Sequence, residues 1–443
     1  MTKHLENPKL VRFMGLWTLA LYGVGDMMGA GIYGLVGKAA GQMGNAIWLA
    51  FLTSMAAALL TGLSYASLGA RHPRAAGAAY VIHRAFGNDF LSYVLGLSVM
   101  ASGLTSMAAG SRVVAGYLQG FLGPIPLEFL VIAFFGALTF INFWGIKESI
   151  LFNMLCTLIE MSGLLIVILV GVKYWGSVNY WEVPPQADGT PGSLNTVMIL
   201  QGAVLTFYSF IGFEDMLNVT EEVKDPTYTF PRAVLIAVVL TTLLYLAISL
   251  TAVSVIPYAE LAKSKQPLVD VVMKAAPWFP PKVFSLISIF AVTNTALLNY
   301  LMGSRLVYGM ARQGLLPSFL GSIHPTRHTP HLSIFTLAAI VLVLALSGDI
   351  SILAKATSVL LLIVFIAVHL SLITLKRRST EPKGPFEVPY WVPILGMVVC
   401  LTMLCHAQWS EFQLAVILIL GISGLYFALS PRKLTEESLA TME

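Results

Sequence analysis

The sequence predicts an all-α protein that crosses a membrane about twelve times, and three observations carry that prediction. Of its 443 residues, 57% are hydrophobic and only 11% charged, where a typical soluble protein is about 25% charged. The apolar residues fall into runs of roughly 18–25, the length with which an α-helix crosses about 30 Å of hydrocarbon. The basic residues collect in alternate connections between those runs, as they do in cytoplasmic loops.

In order, the runs are 13–39, 45–70, 89–111, 127–144, 149–173, 195–217, 231–256, 283–311, 332–347, 350–375, 391–408 and 412–429. The first is apolar but interrupted by "YGVGDMMGAGIYG", Tyr22 to Gly34. The second and third flank the short basic connection "ARHPRAAGAAYVIHRAFG", and the fifth carries an acid in "TLIEMSGLL". The sixth breaks at "LTFYSFIGFEDMLNVTEEVKDP", Leu205 to Pro226, and the eighth carries Thr293, Asn294, Thr295 and Asn299. The longest polar connections, Tyr174–Leu194 and Pro257–Lys282, fall on the external side. The second of them has room for a short interfacial helix that Pro267 limits.

An even number of spans puts both termini on one side. Assigning that side to the cytoplasm gathers 18 of the 26 Lys and Arg, among them Lys3, Arg71, Arg84, Lys147, Lys224, Arg312, Lys376, Arg378 and Arg432. The chain is therefore expected in the cytoplasmic membrane with tails 1–12 and 430–443 inside. Its net charge of +4 is mainly a topology signal, since no polar domain exists to present a basic face to nucleic acid. The opening "MTKHLENPKLVRF" lacks the apolar core and cleavage site of a signal peptide. Cys156, Cys400 and Cys405 lie within predicted spans, at no disulfide or metal spacing, and are expected to be buried free thiols. Asn218–Thr220 matches a glycosylation acceptor by chance, at the cytoplasmic end of a span.

The interruptions in spans one and six are the sharpest functional signal. Glycine costs about 1 kcal/mol against alanine in a helix interior, and a carboxylate at bilayer depth costs roughly 2.5–3.5 kcal/mol. Both occur in both spans, which open two successive groups of five. Paired broken helices in corresponding positions point to a transporter's central binding site. Unwound backbone at that depth must line a cavity or be buried in protein. The competing reading is that Gly25, Gly29 and Gly31 permit close helix packing.

"GVGDMMGAGIYGLVG" resembles the first-helix motif of amino-acid permeases in the amino acid–polyamine–organocation superfamily. "FYSFIGFEDMLNVTEEVKDP" resembles that superfamily's sixth helix, "RHPRAAGAAYVIHRAFG" the loop before its third, and "SRLVYGMARQGLLP" the end of its eighth. The resemblance implies a LeuT-type fold: inverted repeats over 13–173 and 195–375, two further helices over 391–429, and helices one and six unwound at mid-membrane. It implies a substrate site at Met28, Gly29, Ala30, Gly31 and Ile32, and at Phe207, Ser209, Phe210, Ile211 and Gly212. The α-carboxylate would meet the amides of Gly29–Gly31 and the α-amine the carbonyls near Phe210 and Ile211. A helix N-terminus suits an anion and a C-terminus a cation. Phe207, Tyr208 and Phe213 are placed to close over the substrate, with Tyr208 and Phe213 as gates.

Intramembrane carboxylates are functional candidates by default. Asp26 and Glu214 flank the two breaks, and Glu160 lies mid-way along helix five. Many relatives carry a lysine at what looks like the Glu160 position, standing in for sodium. Glu160 reverses that charge. It is a proton site, a cation site with Asp26, Thr293 and Thr295, or an inert hydrogen-bonded group. Asn294 and Asn299 either line the cavity or bond neighbouring helices. His369 and His406 read as structural, and Arg112, Lys38 and Lys355 as side chains that snorkel at external ends. Glu221, Glu222, Lys224 and Asp225 read as a cytoplasmic charge latch.

No His-Glu-x-x-His, Gly-x-Ser-x-Gly or P-loop occurs, so neither an enzyme nor an ATP-driven pump is expected, and no cofactor. A filter loop or ring of like charge, the mark of a channel, is also missing. The expectation is a secondary-active transporter of a neutral or cationic amino acid, coupled to H+ in preference to Na+, with a polyamine or other organic amine as the alternative substrate.

Overall fold

A computed structural model describes residues 14–72, 78–144, 150–185, 192–217, 223–312, 315–327, 329–381 and 383–429. Over these the chain is a bundle of α-helices. In order they are α1 (Leu16–Met27), α2 (Ala30–Met43), α3 (Ile47–Arg71), α4 (Ala78–Phe86), α5 (Asp89–Leu122), α6 (Leu127–Trp144), α7 (Ile150–Gly171) and α8 (Thr196–Phe207). Then follow α9 (Pro226–Val255), α10 (Tyr258–Leu261), α11 (Pro267–Ala275), α12 (Pro281–Arg312), α13 (His331–Ser347), α14 (Ile350–Arg377), α15 (Trp391–His406) and α16 (Trp409–Leu429). Nine helical segments among the described residues have the length and apolarity to cross a membrane, and α13 and α15 are shorter apolar helices. The protein is a polytopic, all-helical integral membrane protein.

Helix starts follow local chemistry. Asn88, Asn195 and Asp349 cap α5, α8 and α14 by accepting from Leu91, Met198 and Ser351 N–H at 2.9, 2.8 and 3.0 Å. Pro267 limits the helix on its N-terminal side: it opens α11, where a missing N–H costs nothing. Leu268, Val269, Val271 and Val272 of α11 are buried against α2, α7, α9 and α12, so this external helix belongs to the bundle and does not float at an interface.

The packing has an internal correspondence. Take α1–α2, α3, α5, α6 and α7 as one set, and α8 with its continuation, α9, α12, α13 and α14 as the other. Exchanging the sets carries α3·α9 and α5·α12 into themselves. It also carries α1·α9 into α8·α3, α5·α14 into α12·α7, and α1·α7 into α8·α14, all of which are packed pairs.

Several outlying polar groups find partners. His369 is buried with Ser64 and Thr61 hydroxyls at 3.0 and 3.1 Å from its two ring nitrogens. Lys355 does not snorkel: it pairs with the buried Glu411 of α16 at 2.6 Å. The Arg112 guanidinium donates to the Ala345 carbonyl, in the last turn of α13, at 2.6 Å. Cys156 and Cys400 are buried as expected, but Cys405 is exposed on the outer face of α15. Glu221 and Glu222 of the expected latch, and the Asn218–Thr220 match, lie outside the described residues; Lys224 N–H donates to the Met14 carbonyl at 2.9 Å.

Candidate functional site

The first interruption is a two-residue break. Helix α1 ends at Met27, Met28 and Gly29 are extended, and α2 starts at Ala30. The first amides of α2 have no partner within their helix, and Gly29, Ala30 and Gly31 all border the same cavity. The second interruption follows Phe207. A tight turn over Tyr208–Phe210 leads to an extended Ile211, a Gly212 with φ of 125°, and another tight turn over Phe213–Leu217.

The breaks touch each other. A Cβ on Gly212 would meet the Asp26 carbonyl carbon at 2.8 Å, and its positive φ already favours glycine. A Cβ on Gly31 would lie 2.5 Å from Ser209 Cα. Gly29 and Gly212 lie in the unwound chain and Gly31 is the second residue of α2, and all three are closely packed. Three side chains hold the geometry. Thr295 of α12 donates to the Met28 carbonyl at 3.0 Å. The Glu214 carboxylate accepts from Gly212 N–H at 2.9 Å. The buried Tyr245 hydroxyl of α9 lies 2.8 Å from both the Met27 and the Ser209 carbonyls, one from each break.

The cavity at the breaks measures about 1200 Å³ including its open mouth. It runs past Gly96 and Val99 of α5 and Met302 and Leu306 of α12, toward the end predicted to be cytoplasmic. At the opposite end α10 packs on α2. There Lys38 donates to the Ala262 carbonyl at 3.1 Å and Lys265 to the Gln119 side chain at 2.7 Å. Asp26, Glu214 and Asp215 border the cavity, and no Lys, Arg or His is among the described residues that line it.

Of the sequence-predicted residues, Asp26, Gly29, Ala30, Gly31, Tyr208, Ile211, Gly212, Glu214 and Thr295 line this space. Tyr208 reaches across it, its hydroxyl 3.0 Å from Ser106 Oγ on α5. Met28, Ile32 and Ser209 are buried in the breaks without lining it. Phe207, Phe210 and Phe213 are buried and do not line it: Phe207 and Phe213 pack with Tyr65 and Phe365, and Phe210 packs with Phe51 and Tyr245. Thr293 does not line the cavity, and donates to the Ile289 carbonyl of its own helix at 2.6 Å.

Glu160 also lies outside the cavity lining. One oxygen accepts from the Asn294 amide at 3.1 Å; the other is buried with no hydrogen-bond partner among the described residues. Its backbone carbonyl receives the Tyr33 hydroxyl at 2.5 Å. A Cβ on Gly25 would fall 1.9 Å from Thr157 Oγ1, so α7, the helix that carries Glu160, packs directly against α1. Asn299, unlike Asn294, lines the cavity. Tyr245 went unnoticed in the sequence because a lone tyrosine in "LLYLAISL" has no spacing that marks it.

Among the described residues no group of three His, Cys, Asp or Glu could hold a metal ion. A family profile described as "Amino acid permease" matches residues 14–424. The chain is 25% identical to the branched-chain amino acid permease of Bacillus subtilis, over 95% of this chain and 93% of that one. It is likewise 25% identical to the methylthioribose transporter of the same organism, over 97% and 95% of the two chains. With the chloroplastic cationic amino acid transporter 9 of Arabidopsis thaliana it shares 28% identity over 72% of this chain and 59% of that one. With its match spanning nearly the whole chain, the protein belongs to the amino acid permease family.

Proposed function

We propose that this protein carries amino acids across the cytoplasmic membrane by alternating access, as a proton-coupled secondary transporter with both termini in the cytoplasm. The observation that carries the reading is the meeting of two broken helices in one cavity. The free amides at the start of α2 offer an anion site. Across it, the carbonyls that follow α8 offer a cation site. The Tyr245 hydroxyl faces the Met27 and Ser209 carbonyls, and Ile211, extended and lining the cavity, is the residue of the second break assigned to the amine. A zwitterion fits between the two.

The mirrored packing supports two five-span repeats over 13–173 and 195–375; the same reading adds helices over 391–429 and takes 1–12 and 430–443 as tails. An orientation with basic loops inside makes the structure an inward-facing one. Proton coupling is supported by three carboxyl groups in a cavity where no Lys, Arg or His is among the described lining residues, and by Glu160, buried with one oxygen that has no hydrogen-bond partner among the described residues. The same acids favour, as a second reading, an organic amine without a carboxylate.

The test is uptake of a labelled amino-acid panel by proteoliposomes under separate proton and sodium gradients. The reading expects accumulation driven by an inward proton gradient and indifferent to sodium. Asp26→Asn or Glu160→Gln is expected to keep exchange and lose accumulation. Sodium-driven accumulation would contradict the coupling, and flux of putrescine with none of any amino acid would favour the second reading.

A further inference from the structure

Asn299 stands on α12 four residues after Thr295, the side chain that holds the Met28 carbonyl. That spacing sets it about 6 Å further along the helix axis, on the same face. Its amide nitrogen donates to the Thr295 carbonyl at 3.0 Å. Because a carbonyl only accepts, this bond fixes which way the amide faces and leaves Oδ1 as the free end. Oδ1 lies beside Gly103 of α5 at the cavity wall. A Cβ built on Gly103 would lie 3.4 Å from it, with no other contact within 4 Å. Both residues line the cavity, and Oδ1 accepts no hydrogen bond among the described residues.

We propose that Asn299 is a specificity-determining residue. Its Oδ1 receives the hydrogen-bond donor at the end of a substrate side chain, and Gly103 keeps the space in front of it open. The inference rests on the amino-acid reading above, with the carboxylate at Gly29–Gly31. Gly29 faces Thr295, a built Cβ lying 2.8 Å from its Oγ1, so the carboxylate end of the substrate sits at the level of Thr295. A side chain must then span about one helical turn, roughly 5–6 Å, to reach Asn299. Glutamine, lysine and arginine cover that distance with a donor at the tip. Alanine does not reach, and leucine brings no donor. Asp26, Glu214 and Asp215 border the same space and favour the cationic members of the set.

The experiment measures KM for labelled alanine, leucine, glutamine and lysine with the full-length protein in proteoliposomes. Wild type is compared with Asn299→Leu, Asn299→Asp and Gly103→Ala. Asn299→Leu is expected to raise KM for lysine and glutamine about tenfold, the size of one lost hydrogen bond in a desolvated site, and to leave alanine and leucine within twofold. Asn299→Asp, which keeps an acceptor, is expected to retain lysine transport, and Gly103→Ala to discriminate as Asn299→Leu does with smaller amplitude.

Alanine transport by each variant reports its folding. Should Asn299→Leu fail to reconstitute, the other two variants carry the same comparison. Equal shifts for all four substrates, or none for any, would overturn the assignment. A wild type that carries none of the four would instead overturn the amino-acid reading, and this inference with it.

Discussion

Replacing Tyr245 by Phe removes one oxygen and tests whether that hydroxyl keeps the two breaks in register. Its ring is fully buried between Phe51 and Phe210, so Phe fills the same space. What is lost is the donor facing the Met27 and Ser209 carbonyls, each at 2.8 Å. A buried carbonyl stripped of its donor costs about 1–3 kcal/mol. One hydroxyl has one proton, so the loss amounts to a single bond, about 2 kcal/mol in the held arrangement relative to relaxed ones. With tenfold per 1.4 kcal/mol, the ratio of held to relaxed protein falls about 30-fold. Apparent affinity falls with the competent fraction. We expect a 10- to 30-fold rise in Kd, about tenfold where the held arrangement is marginally favoured in the wild type and the full value where it is the minor form. Equilibrium binding of labelled substrate to purified protein measures it, with thermal melting as the control for folding. A Kd within twofold of wild type, in protein that still folds, would refute the role given to Tyr245.

Two further predictions concern regions away from the cavity. Lys355 and Glu411 form a largely buried pair between α14 and α16. Lys355→Met strands a buried carboxylate and is expected to cost about 3 kcal/mol, read as a lower Tm. The double variant Lys355→Met/Glu411→Leu is expected to recover most of that loss, and no recovery would argue against the pairing. In the connection between α14 and α15, burial acts to raise the pKa of Glu387. Hydrogen bonds from Arg71, Lys376 and Gly384 N–H outweigh it and hold the carboxyl below its usual range. A carboxyl depressed on folding contributes stability that is complete above its unfolded pKa and lost as the pH falls through the folded one. Tm is therefore expected to be flat above about pH 5 and to fall below about pH 4. Glu387→Gln should flatten part of that acid limb, and an unchanged limb would contradict the contribution.

The spans were legible in the sequence because burial in hydrocarbon imposes a length on each apolar run, and little else imposes it so strictly. The breaks were legible for the complementary reason: glycine and carboxylate are both costly there, so their presence in two corresponding spans has to be explained. Asp26, Gly29, Gly31, Gly212 and Glu214 all reach the cavity. The aromatic residues were harder. Tyr208 and Phe207 are sequence neighbours, yet a tight turn sends one to Ser106 across the cavity and the other against Phe365. Nothing in the spacing of Phe207, Tyr208, Phe210 and Phe213 distinguishes a gate from a core before the turn geometry is known. Helix α4 and the docking of α11 were missed because both are short, and their apolar faces matter only once α5 and α2 stand beside them. Thr293 and Thr295 illustrate the same limit. They lie two residues apart on one helix, and only Thr295 faces the break.

The central claim is that the paired breaks form the substrate site, and one comparison addresses it directly. Counterflow of a labelled amino-acid panel is measured in proteoliposomes containing wild type, Gly31→Ala or Gly421→Ala. Alanine at 31 places a Cβ 2.5 Å from Ser209 Cα and must push the breaks apart, whereas at 421 it meets nothing within 4 Å. Exchange by wild type and Gly421→Ala, with at least a tenfold loss in Gly31→Ala, is the result the account predicts. Exchange by Gly31→Ala at the wild-type rate would mean that substrate binds elsewhere.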